Sequence, residues 1–439
     1  MVIGHNIVII PTIGKKFILV NSLNGTIIRL DQAHQDIFSA WQKNGISLAS
    51  EIETSLYNFL SKHGFIYDSI EDEKGFRDRL ISQVDRIHSM PDKSHLTFVL
   101  SYKCNFSCPY CYENSPHRIL PVDIITKEMV DSALALHEGR LKSINLFGGE
   151  PLLPENADII HYIVEKCPGI SFSAFTNGYY LLDFFDVFSK VKTDYIQVTL
   201  DGGEESHNRT RKTKDGTKSF ARIIEGIGLY LNHGIPVKVR MNLTKTNLQD
   251  YFFLRDYLEK LFFTHKHILS FELFPIFQLG ESEHISVLKD MYSTDINSAN
   301  EPSQVSRNTI LSSSLPILNF FTSGKGFRPI TRYCDSHTNR RCYDPLGNIY
   351  SCIVALGNPT AAIGTYFPDY SLRENSMVDR NITKIEECKD CIYALLCGGG
   401  CTIHFAKRGE SVFQPNCQYT LNVIHNLLPY VDSIRNPEG

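Results

Sequence analysis

Twelve cysteines are spread unevenly along this chain of 439 residues, and their spacing is the first clue to its chemistry. Three lie in one short stretch, Cys104-Asn-Phe-Ser-Cys108-Pro-Tyr-Cys111, directly after an apolar run from Leu96 to Leu100 that reads as a strand. Eight more follow near the C-terminus: Cys334, Cys342, Cys352, Cys388, Cys391, Cys397, Cys401 and Cys417. A chain without an export signal keeps its thiols reduced, and clustered reduced thiols suit soft-metal ligation better than a disulfide framework. Three thiolates on one loop can converge on a four-iron cubane and leave one iron without a protein ligand, free to take a substrate. The run Cys388-x2-Cys391-x5-Cys397-x3-Cys401 holds a glycine-rich turn, Cys397-Gly-Gly-Gly-Cys401, which permits a tight loop around a metal centre. A zinc site, or simply buried thiols, is the competing reading of both stretches. Cys167, just before Pro168, stands outside both groups and reads as an idle buried thiol.

Thiols need a scaffold to hold them, and alternating strand and helix patterns supply one. Candidate strands are Leu96 to Leu100, Ser143 to Phe147, Ile170 to Phe175, Tyr195 to Leu200, Val237 to Leu243 and Ile268 to Phe274. The segments between them have helical length, so the pattern predicts an α/β fold, a partial (β/α)6 TIM-like barrel with a parallel sheet. Functional loops in such a barrel follow the C-terminal ends of strands, and the unusual residues fall there. After the first strand comes the cysteine loop; after the second, Gly148-Gly149-Glu150, whose glycines let backbone approach a ligand while the carboxylate accepts from an ammonium group. Thr176-Asn177-Gly178 ends the third strand, and Thr199-Leu-Asp201-Gly202 the fourth. Arg240 and Asn242 alternate on the fifth and so share a face.

Taken in order, these strand-end motifs resemble those of radical S-adenosylmethionine (SAM) enzymes, over roughly residues 95 to 275. The resemblance implies that Cys104, Cys108 and Cys111 hold a [4Fe-4S] cluster whose open iron binds the amino and carboxylate groups of SAM. It further implies that Gly148, Gly149 and Glu150 grip the SAM amino group, that Asn177 bonds the ribose region, and that Tyr110 flanks the adenine. Thr199 and Asp201 look like that family's Ser-x-Asp-Gly motif with a threonine in place of serine, and His207, Asn208 and Arg211 like its His-x-x-x-Arg tail. Arg240 and Asn242 are the candidates for the SAM carboxylate.

The C-terminal cysteines resemble the SPASM extension of the same enzymes, with Gly347-x4-Cys352 as its entry. By that likeness Cys334, Cys342, Cys352 and Cys401 hold one auxiliary [4Fe-4S] cluster and Cys388, Cys391, Cys397 and Cys417 a second, three clusters in all. Cys334, not Cys342, has that family's usual spacing to Gly347; a non-ligating Cys342 would leave an open iron on the first auxiliary cluster.

The N-terminal residues predict a separate unit. Lys16 to Val20 and Thr26 to Leu30 flank Asn24-Gly25 as a hairpin, Asp31 caps a helix to about Lys43, a second helix runs Ser50 to Lys62, and Gly64 to Tyr67 closes as a strand. This pattern resembles the winged-helix-like module that precedes enzymes modifying ribosomally made peptides, where a leader peptide adds a strand to a sheet edge. The expected division is 1–70 for that module, 71–94 for a linker helix, 95–285 for the barrel, 286–333 for a connecting, substrate-shaping region, 334–420 for the SPASM domain and 421–439 for a tail.

A net charge of -4 gives no basic footprint for nucleic acid. No apolar run is long enough to cross a bilayer and no signal-peptide pattern is seen, so a cytoplasmic location without membrane contact is expected. Together the likenesses imply a radical SAM oxidoreductase acting on a precursor peptide with a leader sequence and installing an intramolecular carbon-carbon, ether or thioether crosslink. An external donor such as flavodoxin or ferredoxin would supply electrons. The alternatives are an anaerobic sulfatase-maturing enzyme that makes formylglycine, and a non-catalytic iron-sulfur or zinc protein.

Overall fold

The computed structural model describes residues 1–12, 17–89, 95–111, 123–137, 139–244, 246–276, 285–290, 309–311, 328–338 and 340–435. Its N-terminal part holds β1 (Val2–Ile3), β2 (Ile7–Pro11), β3 (Phe17–Asn21), β4 (Ile27–Leu30), α1 (Gln32–Asn44), α2 (Glu51–Lys62), β5 (Ile66–Tyr67) and α3 (Ile70–Ser89). The expected hairpin and helices are present, and the helices start where capping chemistry dictates. The Asp31 carboxylate accepts from the His34 N–H at 2.9 Å, and the Ser50 hydroxyl from the Glu53 N–H at 3.2 Å. β1 and β2 are additions to the expected pattern: β2 makes a three-stranded antiparallel sheet in the order β2-β3-β4, and β1 pairs with β5.

Strand alternation gives this small sheet two buried faces. Ile7, Leu19, Ile28 and Leu30 pack with Phe38, Trp41, Leu56 and Leu60 of the two helices. On the opposite face Val8, Ile10, Ile18 and Val20 join the main core of the molecule. Burying four aliphatic side chains contributes roughly 6–12 kcal/mol before entropy is counted, so the unit is seated on the body, not tethered by a linker. Arg29 of β4 reinforces the contact by reaching Asp432 in the C-terminal helix Leu428–Arg435.

Then come β6 (His95–Val99), α4 (Lys127–Ala135), β7 (Ser143–Phe147), α5 (Ala157–Lys166), β8 (Ser171–Thr176), α6 (Leu181–Lys190), β9 (Thr193–Thr199), α7 (Glu204–Thr210), α8 (Phe220–Asn232), β10 (Val237–Leu243), α9 (Leu248–Leu261), β11 (Leu269–Pro275) and β12 (Thr309–Leu311). β6 to β12 are parallel and adjacent in chain order, the arrangement short right-handed crossovers produce. All six expected strands are there; β12 is a seventh, drawn from the stretch expected to be a connecting, substrate-shaping region.

The sheet does not stop at β6. On its other side the cysteine-rich part adds β13 (Cys342–Tyr343), β14 (Asn348–Tyr350), β15 (Gly364–Thr365) and β16 (Ser371–Leu372), giving one sheet in the order β12-β11-β10-β9-β8-β7-β6-β13-β14-β15-β16. β13 runs parallel to β6, with Cys342 opposite Thr97. Among the described residues no helix is long and apolar enough to cross a membrane.

Candidate cofactor and metal sites

The loops after β6 and β7 are zipped together by backbone. Gly149 N donates to Ser101 O at 3.0 Å and Glu150 N to Lys103 O at 2.8 Å. A Cβ on Gly148, whose φ is +149°, would stand 2.3 Å from Ser101 O; one on Gly149 would stand 2.3 Å from Lys103 O. The close approach that these glycines permit is therefore to the chain entering the cysteine loop. Gly148→Ala is expected to destabilise the protein by about 2 kcal/mol or more, read as a lower midpoint in chemical denaturation, because the obstructing atom is fixed backbone.

Glu150 is fully buried. Its carboxylate accepts from Leu152 N at 2.9 Å, the Thr176 hydroxyl at 2.6 Å and Asn177 N at 2.6 Å. Burial pushes its pKa up, and these three donors and Arg211 oppose the shift. The Asn177 side-chain amide donates to Asn105 Oδ1 at 2.7 Å and lies 3.9 Å from Cys104 Sγ, so it braces the cysteine loop from the end of β8, two strands away.

Behind the loop lies a buried polar triad. The Tyr110 hydroxyl donates to Asp201 Oδ2, and Arg211 Nη1 donates to the Tyr110 oxygen at 2.8 Å. Asp201 also accepts from Asn242 N and the Thr210 hydroxyl, each at 3.4 Å. Burial raises the Asp201 carboxyl while Arg211 pulls it back down. Arg211 is also felt by Cys104, Cys108 and Glu150, which makes it the positive centre of this end of the sheet. In the sequence Arg211 stands only in a motif tail, with no role of its own. Its spacing one helical turn from His207 is the signal, and it caps the C-terminus of α7, its N–H donating to His207 O. Thr199 and Arg240 are register partners on β9 and β10, so they share a face; Arg240 Nε reaches Asn242 Oδ1 at 3.4 Å and its guanidinium lies 4.2 Å from the Phe274 ring centre. Glu150, Asn177, Tyr110 and Asp201 are thus brought together around the first three thiols, with Thr199 and Arg240 on the adjoining strands.

All twelve cysteines are free thiols. Cys104 is pushed up to about 12, chiefly by burial, with Glu150 and Cys108 adding to it. The eight C-terminal thiols fall into two neighbourhoods. Cys401 is raised to about 12 by burial and then by Cys352 and Cys334, and Cys342, also about 12, senses Cys352. Cys397, raised by burial to about 12, senses Cys388, Cys391 and Cys417. Register explains the place of Cys342: it pairs with Tyr350, the last residue of β14 and two residues before Cys352. Among the described residues no three His, Cys, Asp or Glu side chains converge tightly enough to hold one metal ion, so the thiols stand as neighbours at wider spacing.

Three glycines draw these segments together. Gly398, Gly399 and Gly400 all have positive φ, and a Cβ on each would strike a different segment: the Arg332–Tyr333 backbone beside Cys334, the Arg380 guanidinium, and Asn416 O beside Cys417.

Residues 98–252 match the radical SAM superfamily. The chain carries a radical SAM domain. The radical SAM cyclopropyl synthase TigE of Paramaledivibacter caminithermalis is 25% identical over 222 residues, 46% of this chain and 46% of TigE. A GTP 3',8-cyclase of Nautilia profundicola is 30% identical over 141 residues, 31% of this chain and 43% of the cyclase. The match spans less than half the length of either relative. Among solved structures, native anSMEcpe with bound AdoMet superposes with a TM-score of 0.56 at 20% identity, over 78% of this chain and 99% of that one. Streptococcus suis SuiB bound to S-adenosylmethionine gives 0.54 at 17% identity, over 94% of this chain and 98% of SuiB. At these identities the likeness is one of fold. SuiB has also been solved bound to a precursor peptide, SuiA. The resemblance of this radical SAM chain to the peptide maturases is borne out by these relatives.

Proposed function

We propose that this radical SAM enzyme is a peptide maturase that installs an intramolecular crosslink in a ribosomally made precursor. The observation that carries the reading is the pairing of a three-thiol loop at the strand ends with two separate neighbourhoods of four thiols at the C-terminus. The residues fit the groups implied. Buried thiols whose pKa values are raised ionise readily only beside positive charge, which iron supplies. Cys104, Cys108 and Cys111 would hold the radical cluster, and the two C-terminal sets, Cys342 included, two auxiliary [4Fe-4S] clusters.

When bound, a reduced cluster and SAM supply a 5'-deoxyadenosyl radical that takes hydrogen from carbon, and fully ligated clusters accept the second electron that a crosslink releases. The chain's own residues orient and shield. Glu150, held by Thr176 and Asn177, is a fixed carboxylate behind the loop; Tyr110 is pinned by Asp201 and Arg211; Thr199 and Arg240 share one face of the adjoining strands. Removing water from this end protects a carbon radical from quenching.

The N-terminal sheet supports a peptide substrate. A match covering 94% of this chain leaves out about 6% of it, too little to omit the N-terminal unit, so the likeness to SuiB includes that unit. A leader peptide would add a strand to an edge of the sheet β2-β3-β4, with backbone bonds giving affinity and side-chain pockets giving register. The match to GTP 3',8-cyclase spans only 31% of this chain. A cytoplasmic setting with flavodoxin or ferredoxin as donor completes the proposal.

The test is iron, sulfide and zinc per chain after anaerobic purification and reconstitution, followed by mass spectrometry of leader-bearing peptides incubated with SAM and a reductant. About twelve irons and a product that has lost hydrogen are expected; about four irons with bound zinc would overturn the auxiliary-cluster reading.

A further inference from the structure

Arg380 follows the 3-10 turn Met377–Asp379 and heads the fully buried large side chains of the molecule, with an exposure of 0%. Its guanidinium donates only to backbone carbonyls: Nε to Val412 O at 2.7 Å, Nη1 to Gly398 O at 3.1 Å, and Nη2 to Gly399 O at 2.5 Å and Gln414 O at 3.1 Å. These acceptors lie in the glycine turn between Cys397 and Cys401 and in the segment leading to Cys417.

Two other arginines largely shielded from solvent have a carboxylate within reach. Arg332 also grips three carbonyls, but it reaches Asp85 at 2.9 Å, and Arg211 sits beside Asp201. Among the described residues no carboxylate pairs with Arg380. The anion-forming groups it faces are the thiols of Cys388, Cys397, Cys401 and Cys334, two from each C-terminal set. A wholly buried guanidinium matched by neutral carbonyls alone is costly, and thiolates carrying a net negative cluster supply the missing charge.

We propose that Arg380 is a positioning residue common to both auxiliary clusters: it clamps the glycine turn between them and places one fixed positive charge against both. The inference rests on the reading that the eight thiols hold two clusters. A cation close to a cluster favours its reduced, more negative form, so this charge raises both reduction potentials together. Gly399 is tied to the same device, since a Cβ there would stand 2.9 Å from both terminal guanidinium nitrogens.

The test uses the full chain, reconstituted anaerobically, as wild type, Arg380→Met and Arg380→Lys, with iron and sulfide content and a redox titration followed by electron paramagnetic resonance. The radical cluster is recognised as the signal that changes when SAM is added. For Arg380→Met both auxiliary midpoints are expected to move to more negative values, or both auxiliary clusters to be lost, while the SAM-responsive signal persists. A full iron complement with unchanged auxiliary midpoints, or a shift in one only, overturns the proposal. Should the methionine variant not accumulate, Arg380→Lys decides: its ammonium cannot span four carbonyls, so both auxiliary signals shift together, and unaltered signals overturn the proposal. A wild type with about four irons removes the two-cluster premise itself, a result distinct from twelve irons that ignore Arg380.

Discussion

Replacing Cys104, Cys108 and Cys111 together by Ala is expected to reduce 5'-deoxyadenosine formation from SAM to the level of an enzyme-free control. Iron per chain should fall by about four, the content of one cubane. The prediction isolates chemistry from folding because the loop is held by groups other than its thiols. Ser107 N donates to Lys212 O and Lys214 N to Asn105 O, each at 2.8 Å, and Phe106 bridges to Thr213. The Gly149 and Glu150 backbone bonds hold the approach to the loop in the same way. Chromatographic quantitation of deoxyadenosine under reducing, anaerobic conditions is the measurement. Undiminished product from a variant lacking that iron would sink the assignment of SAM cleavage to this loop.

A second large effect is expected at Arg211. Its removal as Arg211→Met leaves Asp201, 1% exposed, as a buried acid without its cation, at a cost of about 3–5 kcal/mol. The burial that raises the Asp201 carboxyl then acts unopposed, so the residue takes up a proton at a higher pH than before. Asp201→Asn in the same chain removes the orphaned charge, so the double variant should recover at least about 1 kcal/mol relative to the sum of the two single changes. Urea denaturation of all four proteins gives the cycle. Strict additivity would show that Arg211 and Asp201 are not energetically coupled, and that the positive centre behind the cysteine loop is not held by this contact.

The N-terminal unit changes how peptide binding should be probed. Because Val8, Ile10, Ile18 and Val20 belong to the main core, deleting the unit would expose an apolar face, and loss of peptide affinity would then be confounded with loss of structure.

Much of the scaffold was legible in the chain because its signals are local. The six expected strands of the parallel sheet declare themselves through β-branched and apolar runs, and their ends agree with the structure to within two residues. Asp31 and Ser50 announce helix starts because a cap needs only a side chain and an N–H three residues on. The three-thiol loop and the Gly-Gly-Glu turn are likewise short stretches whose chemistry is written in consecutive residues.

Long-range placement was decided only by the tertiary structure. That Cys342 lies near Cys352 depends on its pairing with Tyr350 across β13 and β14, and that the cysteine-rich part continues the large sheet follows from Cys342 pairing with Thr97. That Gly148 and Gly149 meet the cysteine-loop backbone, and that Arg211 stands against Tyr110, depends on which strand ends are neighbours. Arg380 is the clearest case: it belongs to no motif, and its part is defined by four carbonyls and four thiols from distant segments. Local sequence determines the groups on offer and the elements that carry them. Only packing, through burial and a low local dielectric, turns a guanidinium or a thiol into a site, because its charge then acts on whichever neighbours the fold supplies.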